Sequence, residues 1–419
     1  MPATSPSRPA APTAYDVDAV RADFPILQRE VYDGRPLVYL DNAATTHKPR
    51  AVLDRLTRYY AHENANIHRG VHRLSAEGTE RYEAARATAG RFVGAAGPSE
   101  IVFTRGTTDG INLVAQGLGL AGALAPGREI LVSEIEHHAN IVPWQMLAGR
   151  TGARLRVVPA LGTGDLDLAA LPDLVTDRTA VVAVTHTSNA LGTVVDLAPI
   201  VDAARAVGAL VLVDAAQAAP HAPLDVRALG ADFVVFSGHK VYGPTGIGVL
   251  WGREAALERL PPVQGGGDMI DRVTFAETTY ADLPARLEAG TPHIAGALGL
   301  AAALDYVAGL GLEAVAAHEA AVLDYAVARL TDLGATLVGT PARRAGAVSF
   351  LLDGLHPYDV GTVLDRLGVA VRTGHHCAQP TMDRFGVPGT VRASVGLYTT
   401  AAEIDALCDG LGRVRAMFS

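Results

Sequence analysis

Short runs of Val, Leu, Ile and Phe recur along the middle of the chain, each closed by polar or glycine-bearing residues. They read EIVFTRG from Glu100, REILVSE from Arg128, RLRVVP from Arg154, AVVAVTHTSN from Ala180, ALVLVDAAQ from Ala209 and ADFVVFSGHK from Ala231. Runs this short, and apolar at successive positions, predict buried strands of a mostly parallel sheet covered by helices. Between the last two, PLDVRALG carries the 3.6-residue apolar spacing of a crossover helix. A further helix is predicted from Pro49 through PRAVLDRLTRYYAHE, and a long one from SAEGTERYEAARATAGRFVGA with Ser75 as its N-cap. VYGPTGIGVLWG then gives a tight turn and one more strand. Downstream, a helix near 313–333 and the strands ATLVGT, AVSFLL and VAVRTG predict a smaller α+β domain. The fold class is therefore α/β, with a large domain at 36–299, a small domain at 300–419, a segment at 15–35 packing on the small domain, and a disordered tail at 1–14.

Composition narrows the class. The 419 residues are 49% hydrophobic but only 5% aromatic, as in an α/β globule built on Ala, Val and Leu. A net charge of −9 argues against a nucleic-acid-binding face. The apolar stretch 294–310 is Ala- and Gly-rich, interrupted by Asp305 and too short to span a bilayer, so no membrane role is expected. The first fourteen residues have no apolar core and do not read as a signal peptide, which leaves a cytoplasmic location as the expectation. Cys377 and Cys408 are the only cysteines and make no disulfide framework.

Candidate chemistry gathers where strands end. In parallel sheets ligands bind beyond the carboxyl ends of the strands, and there the sequence places Asp214, Gln217, Ser237, His239 and Lys240. A lysine for a Schiff base, a carboxylate for a pyridine nitrogen, and hydroxyl and imidazole donors for a phosphate suit pyridoxal 5′-phosphate. The glycine turn before Thr107 and Thr108 opens a helix whose free N–H groups favour an anion, without the pattern of a Walker loop. His137 and His138 are adjacent and cannot both face one metal from a regular strand, so a planar stacking partner is the preferred role and no metal is expected. Asn189 adds an amide at the same sheet edge. The loop bearing His68, Arg69 and His72 can hold a carboxylate or meet a partner subunit. Thr291 and Pro292 precede the helix that closes the large domain.

With these residues placed, the chain resembles the class V aminotransferases of PLP fold type I, and within them the SUF-type (group II) cysteine desulfurases and related selenocysteine lyases. The resemblance runs from about Tyr39 to Leu407 through LDNAATT, NIHRGVHRLS, RGTTDGINLVA, EHHANIVPWQ, THTSNALGT, VDAAQ, SGHKVYGPTGIG, EAGTP, RTGHHCAQP and RASVGLYTT. It implies Lys240 as the cofactor lysine, Asp214 on the ring nitrogen, His137 stacked on the ring, and Gln217 and Asn189 near the ring hydroxyl or substrate. Thr107, Thr108, Ser237 and His239 are the implied phosphate side, joined by Thr291 of a second subunit, so a homodimer is implied too. Arg392 is the implied clamp for the substrate carboxylate, with Arg372 and His68 as further substrate contacts.

Cys377 is the implied nucleophile that becomes a persulfide. Its thiolate would be favoured by a nearby cation such as a protonated histidine, with His375 and His376 available. The implied reaction converts L-cysteine to L-alanine and passes sulfur to an acceptor protein of the SUF system for iron–sulfur cluster assembly. Selenocysteine lyase is the alternative on the same scaffold. Cys408 falls on the apolar face of a C-terminal helix and is expected in the core.

Overall fold

The computed structural model describes residues 15–32 and 34–418, and the tail at 1–14 lies outside them. Seven strands form the central sheet: β1 (Ile101–Thr104), β2 (Glu129–Ser133), β3 (Arg154–Val158), β4 (Thr179–Thr185), β5 (Leu210–Asp214), β6 (Phe233–Ser237) and β7 (Gly248–Gly252). Their spatial order is β1-β7-β6-β5-β4-β2-β3. Only β7 runs against its neighbours, pairing antiparallel with β1 and β6. The other six strands therefore point the same way, and their carboxyl ends share one edge. Every residue of β1, β2, β4, β5, β6 and β7 is buried, which is why those runs are apolar without alternation. β3 is the exception: it is an edge strand, and Arg154 and Val157 on it are exposed.

Two local expectations need correction. The crossover helix in PLDVRALG shrinks to a single turn, Val226–Leu229, because Asp225 caps it and Gly230, in the left-handed conformation, ends it. The long helix is Arg73–Val93, starting three residues earlier than a cap at Ser75 implies. His72 caps it by accepting the Ser75 N–H on Nδ1, while Ser75 itself is buried within the first turn.

Four antiparallel strands make the smaller sheet: β8 (Thr336–Leu337), β9 (Ala347–Leu351), β10 (Arg372–Gly374) and β11 (Thr390–Ser394), in the order β8-β9-β11-β10. Helices Leu312–Asp332, Pro357–Arg366 and Ala401–Phe418 pack with it around Val348, Phe350, Val391 and Leu407. Cys408 is buried in that core, as its helical phase predicts.

The helix Ile294–Leu310 runs through the expected boundary at 299/300 and packs on Arg50–Arg58 and Arg73–Val93 of the large domain. The chain bends by 77° between Leu310 and Leu312, and we propose Gly311 as the division between domains. The segment from Tyr15 packs in the seam between the two. Val20, Phe24 and Leu27 meet Tyr242 and Val307 on one side and Leu397 and Tyr398 on the other. Val38–Tyr39 pairs with Val369–Ala370, so residues counted with the large domain add a strand contact to the small one. Among the described residues no single helix is long and apolar enough to cross a membrane.

Candidate active site

The shared edge of strand ends faces β10 and β11 across a cavity of about 230 Å³. The large domain lines it with Thr107 and Thr108 after β1, His137 after β2, Asn189 after β4, Asp214 and Gln217 after β5, and Ser237, His239 and Lys240 after β6. Arg372, His376, Cys377 and Arg392 close it from the small domain, and Ala43 and Ala44 from the loop after Tyr39. Residues separated by more than 200 positions thus converge because the small sheet folds back over the large one.

Lys240 and Asp214 form the floor. Burial pushes the lysine ammonium down to about 8; Asp214 opposes that, and Arg392 and Arg372 reinforce it. Asp214 is 4% exposed, and burial raises its carboxyl above the ordinary range, against the Ala216 N–H and Lys240. The Ala216 N–H occupies only Oδ1, at 2.9 Å. A buried carboxylate with one backbone donor is suited to a cationic partner brought by a ligand.

Beside them, at the start of the helix that follows β1, lies an anion cradle. Gly106 adopts φ 146 and caps the helix Thr107–Leu120. A Cβ there would meet Ser237 Oγ at 3.1 Å, and a Cβ on Gly248 would meet the Gly106 Cα at 2.5 Å, so the turn is laid against β7 at glycine-only separation. The Thr107 N–H and hydroxyl each reach Ser237 Oγ at 2.8 Å. His239 completes the cradle; burial, Lys240 and Lys48 press its imidazole down to about 4, leaving it neutral. A helix N-terminus, two hydroxyls and an imidazole form a phosphate-binding set.

Opposite, Arg372 on β10 and Arg392 on β11 are direct cross-strand partners. Like charges in that register repel, so the pair is suited to an anion between them. Arg392 is 1% exposed and anchored by Nη1 to the Asn189 carbonyl and by Nη2 to Asp41, each at 2.9 Å. Among the described residues its Nε has no hydrogen-bond partner.

Cys377 is half-buried on the loop after β10, and it and His376 hold φ of 56° and 53°. Two consecutive non-glycine residues in the left-handed region are strained, and the surroundings hold them there. The Cys377 carbonyl accepts the His138 N–H at 2.7 Å, its N–H donates to His375 Nδ1 at 3.1 Å, and the His376 carbonyl accepts Asn189 Nδ2 at 2.6 Å. His376 does not supply the expected cation. Burial, with Arg392 and Arg372, presses it down to about 2. A relay fixes its tautomer. Ser349 Oγ donates to the Ala190 carbonyl and Thr390 Oγ1 donates to Ser349, so His376 Nε2 must donate to Thr390. The cations whose ionisation responds to Cys377 are Lys240 and Arg392.

Of the other candidates, His137 lines the cavity, is held neutral by burial and Lys240, and accepts the Ala139 N–H on Nδ1. Gln217 lines it too, although its amide donates to the Ala43 carbonyl at 2.7 Å. Thr291 lies elsewhere, on an adjoining cavity of about 1010 Å³ that shares Thr107, Thr108, Ser237 and His239. His68 is not brought to the small cavity; it pairs with Glu83 at 3.2 Å. Sequence reasoning passed over Glu136, which is fully buried between His137 and the end of β2 and accepts from Ser133, Asn140 and the Thr185 N–H. Its signal was present in EHHAN, a glutamate on the edge of an apolar run with no lysine or arginine nearby in sequence. Among the described residues no group of three or more His, Cys, Asp or Glu is arranged to hold a metal ion. The donor set does fit pyridoxal phosphate: an amine of lowered pKa, a lone buried carboxylate, a flat neutral imidazole and a phosphate cradle at one edge.

Comparison with known proteins agrees with this geometry. Residues 38–407 match the family model described as aminotransferase class-V. A cysteine desulfurase of Dickeya dadantii is 53% identical over 404 residues, covering 96% of this chain and 98% of that one. The crystal structure of the Escherichia coli cysteine desulfurase CsdA, in an S-sulfonic acid form, superposes with a TM-score of 0.88 at 40% identity, covering 97% of this chain and 100% of that one. A C-DES mutant with glycine covalently linked to its PLP cofactor superposes with a TM-score of 0.81 at 26% identity, covering 94% of this chain and 98% of that one.

Proposed function

The chain belongs to the class V aminotransferase family, and from that premise we propose that it is a pyridoxal 5′-phosphate-dependent cysteine desulfurase, converting L-cysteine to L-alanine with its sulfur left on Cys377. One observation carries the reading: Lys240, Asp214, the arginine pair and Cys377 all face one cavity. Lys240 would hold the cofactor, Asp214 its ring nitrogen, His137 its ring face, and Thr107, Thr108, Ser237 and His239 its phosphate. When bound, pyridoxal phosphate supplies an electron-accepting ring that stabilises negative charge at the substrate Cα.

The protein's own groups do the rest. An amine with a pKa of about 8 is unprotonated in about a tenth of molecules at pH 7, enough for Lys240 to take a proton from a substrate carbon held above it. Arg392 and Arg372 receive the substrate carboxylate, the anion their register awaits, and Asn189 and Asp41 fix the Arg392 guanidinium in place. Cys377, held by its strained loop, presents its sulfur to the same cavity. The balance is L-cysteine plus Cys377–SH giving L-alanine plus Cys377–S–SH, so no outside oxidant is required. Hydrogen bonds from His138 and to His375 hold the loop without covering the half-buried thiol.

The reading extends to a homodimer, to an acceptor protein of the SUF system that takes the sulfur for iron–sulfur cluster assembly, and to a cytoplasmic setting. Support for the dimer is the larger cavity beside the phosphate cradle, onto which Thr291 faces. The short RTGHHCAQP loop supports the SUF assignment. The test is to assay alanine and sulfide from L-cysteine with and without a candidate acceptor, and to map added sulfur by mass spectrometry after one turnover. One sulfur on Cys377 and none on Cys408 is expected. Sulfur on Cys408, or desulfuration by Cys377→Ala at the parent rate, removes Cys377 from the reaction. Turnover confined to selenocysteine would establish the lyase instead, and a monomer by sedimentation would remove the dimer.

A further inference from the structure

The loop after Tyr39 converges on one atom of the turn that bears Lys240. The His239 carbonyl oxygen lies 3.0 Å from the Thr46 N–H nitrogen and 3.1 Å from each of Thr45 Oγ1, Thr46 Oγ1 and Lys48 Nζ. A carbonyl oxygen offers two lone pairs, so four donors on one oxygen is a concentration of positive dipole and charge at the peptide joining His239 to Lys240. Thr46 Oγ1 also accepts the Tyr242 N–H at 2.9 Å, so one buried threonine grips the chain on both sides of Lys240. Tyr242 has a φ of 61° and is fully buried, with its hydroxyl accepting the Leu397 N–H at 3.0 Å.

Lys48 is the unusual member. Its other bond is to the Thr46 carbonyl, and burial alone presses its ammonium down to about 8, with no carboxylate pulling it back. A largely buried lysine facing only carbonyl oxygens is unfavourable in the absence of a counter-ion, and this one is directed at the peptide of the reacting lysine.

We propose that Lys48, with Thr45 and Thr46, is a positioning residue that fixes where the Lys240 amine is delivered, by clamping the carbonyl of the peptide that precedes it. This rests on reading Lys240 as the cofactor lysine. Lys48 does not line the cavity and acts through the turn Gly238–Lys240, whose other backbone bonds join the Gly238 carbonyl to the Val241 and Gly243 N–H groups and the Gly238 N–H to the Ile247 carbonyl. Loosening the clamp lets water reach the amine and moves it out of line with a substrate carbon.

The test uses the full-length chain. In cofactor-free protein, competitive trace acetylation read by mass spectrometry gives the titration of Lys240 directly. Lys48→Met is expected to raise it by about one unit from its value near 8, toward the ordinary lysine value of about 10.4. In the holoenzyme the same variant is expected to lose about tenfold in kcat with KM for L-cysteine changed less than about twofold, since alignment and not substrate binding is lost. Lys48→Arg, which keeps a cation and donors, restores most of both. Should Lys48→Met fail to fold, Thr45→Val removes one of the four donors from a half-buried position and is expected to move the Lys240 titration the same way. An unmoved Lys240 titration in these variants, or equal losses in Lys48→Met and Lys48→Arg, overturns the clamp. Acetylation involves no turnover, so it separates failure of the clamp from failure of the desulfurase reading, which would appear as absent alanine production by the parent protein.

Discussion

Replacing Glu136 by Gln tests how the end of β2 is held beneath His137. The carboxyl is fully buried; burial pushes it up to about 8, the donors Ser133, Asn140 and the Thr185 N–H pull against that, and Asp214 adds to the rise. An acid whose folded pKa is raised binds its proton more tightly in the folded than in the unfolded state. Its contribution to stability is therefore fully present below the ordinary glutamate value of about 4.3 and is lost as pH rises through about 8. The window spans between three and four units, which at 1.36 kcal/mol per unit amounts to about 5 kcal/mol. Glu136→Gln also disturbs hydrogen bonds, because Asn140 Oδ1 is engaged by Trp144 Nε1 and its amide can offer only donors to position 136. That loss does not vary with pH, whereas the ionisation effect does. Urea denaturation of the cofactor-free chain at pH 5, 7 and 9 separates them. The stability of Glu136→Gln relative to the parent is expected to improve by several kcal/mol between pH 5 and pH 9. Parallel stability profiles for the two proteins would show that Glu136 ionises normally and that its burial is no strain on the site.

Three further outcomes follow from the cavity. Asp214→Asn is expected to bind pyridoxal phosphate yet lose on the order of a hundredfold in kcat, since an amide can keep a hydrogen bond but supplies no charge; an unchanged kcat excludes Asp214 as the ring partner. Arg392→Lys is expected to raise KM for L-cysteine by about tenfold or more, because an ammonium cannot span the Asn189 carbonyl, Asp41 and a substrate carboxylate together, and an unchanged KM places the carboxylate elsewhere. Uptake of pyridoxal phosphate by cofactor-free protein, followed by stopped-flow absorbance, is expected to quicken by nearly tenfold per pH unit below pH 8 and to level off above it, because Lys240 reacts as the free amine. An inflection near pH 10 would show that the amine is not buried.

Much of the site was legible because it hangs on strand ends. Thr107, His137, Asn189, Asp214 and Ser237 each follow an apolar run, and a parallel sheet puts the ends of such runs at one edge, so order along the chain becomes proximity in space. What depended on long-range register was not legible. Nothing local says that Arg372 lies opposite Arg392, since that follows from how β10 pairs with β11. Nor does the sequence show that Lys48 reaches a carbonyl 191 positions away. Capping failed at Ser75 for a local reason: His72 competes for the same N–H groups, and the better-known hydroxyl cap is drawn inside the helix. The titration of His376 is a property of burial and of the two arginines near it, and a residue written beside a half-buried cysteine gave no sign of it.

These features share one physical character. The cavity places two arginines side by side, buries a lysine of lowered pKa beside a carboxyl of raised pKa, and holds two residues of the Cys377 loop in the left-handed region. Each is unfavourable in the cofactor-free protein, and the first two would be relieved by something the proposed reaction brings. A substrate carboxylate would neutralise the arginine pair, a cationic ring nitrogen would satisfy Asp214, and attachment of the cofactor to Lys240 would end the burial of its free ammonium. Relief of this kind is part of the binding free energy, through which a ligand stabilises the folded protein by mass action. The strain at His376 and Cys377 differs, because no ligand charge removes it. It is held by hydrogen bonds from His138 and Asn189 on the large domain, so the thiol proposed to react is fixed by the domain that carries Lys240 although its own segment belongs to the other.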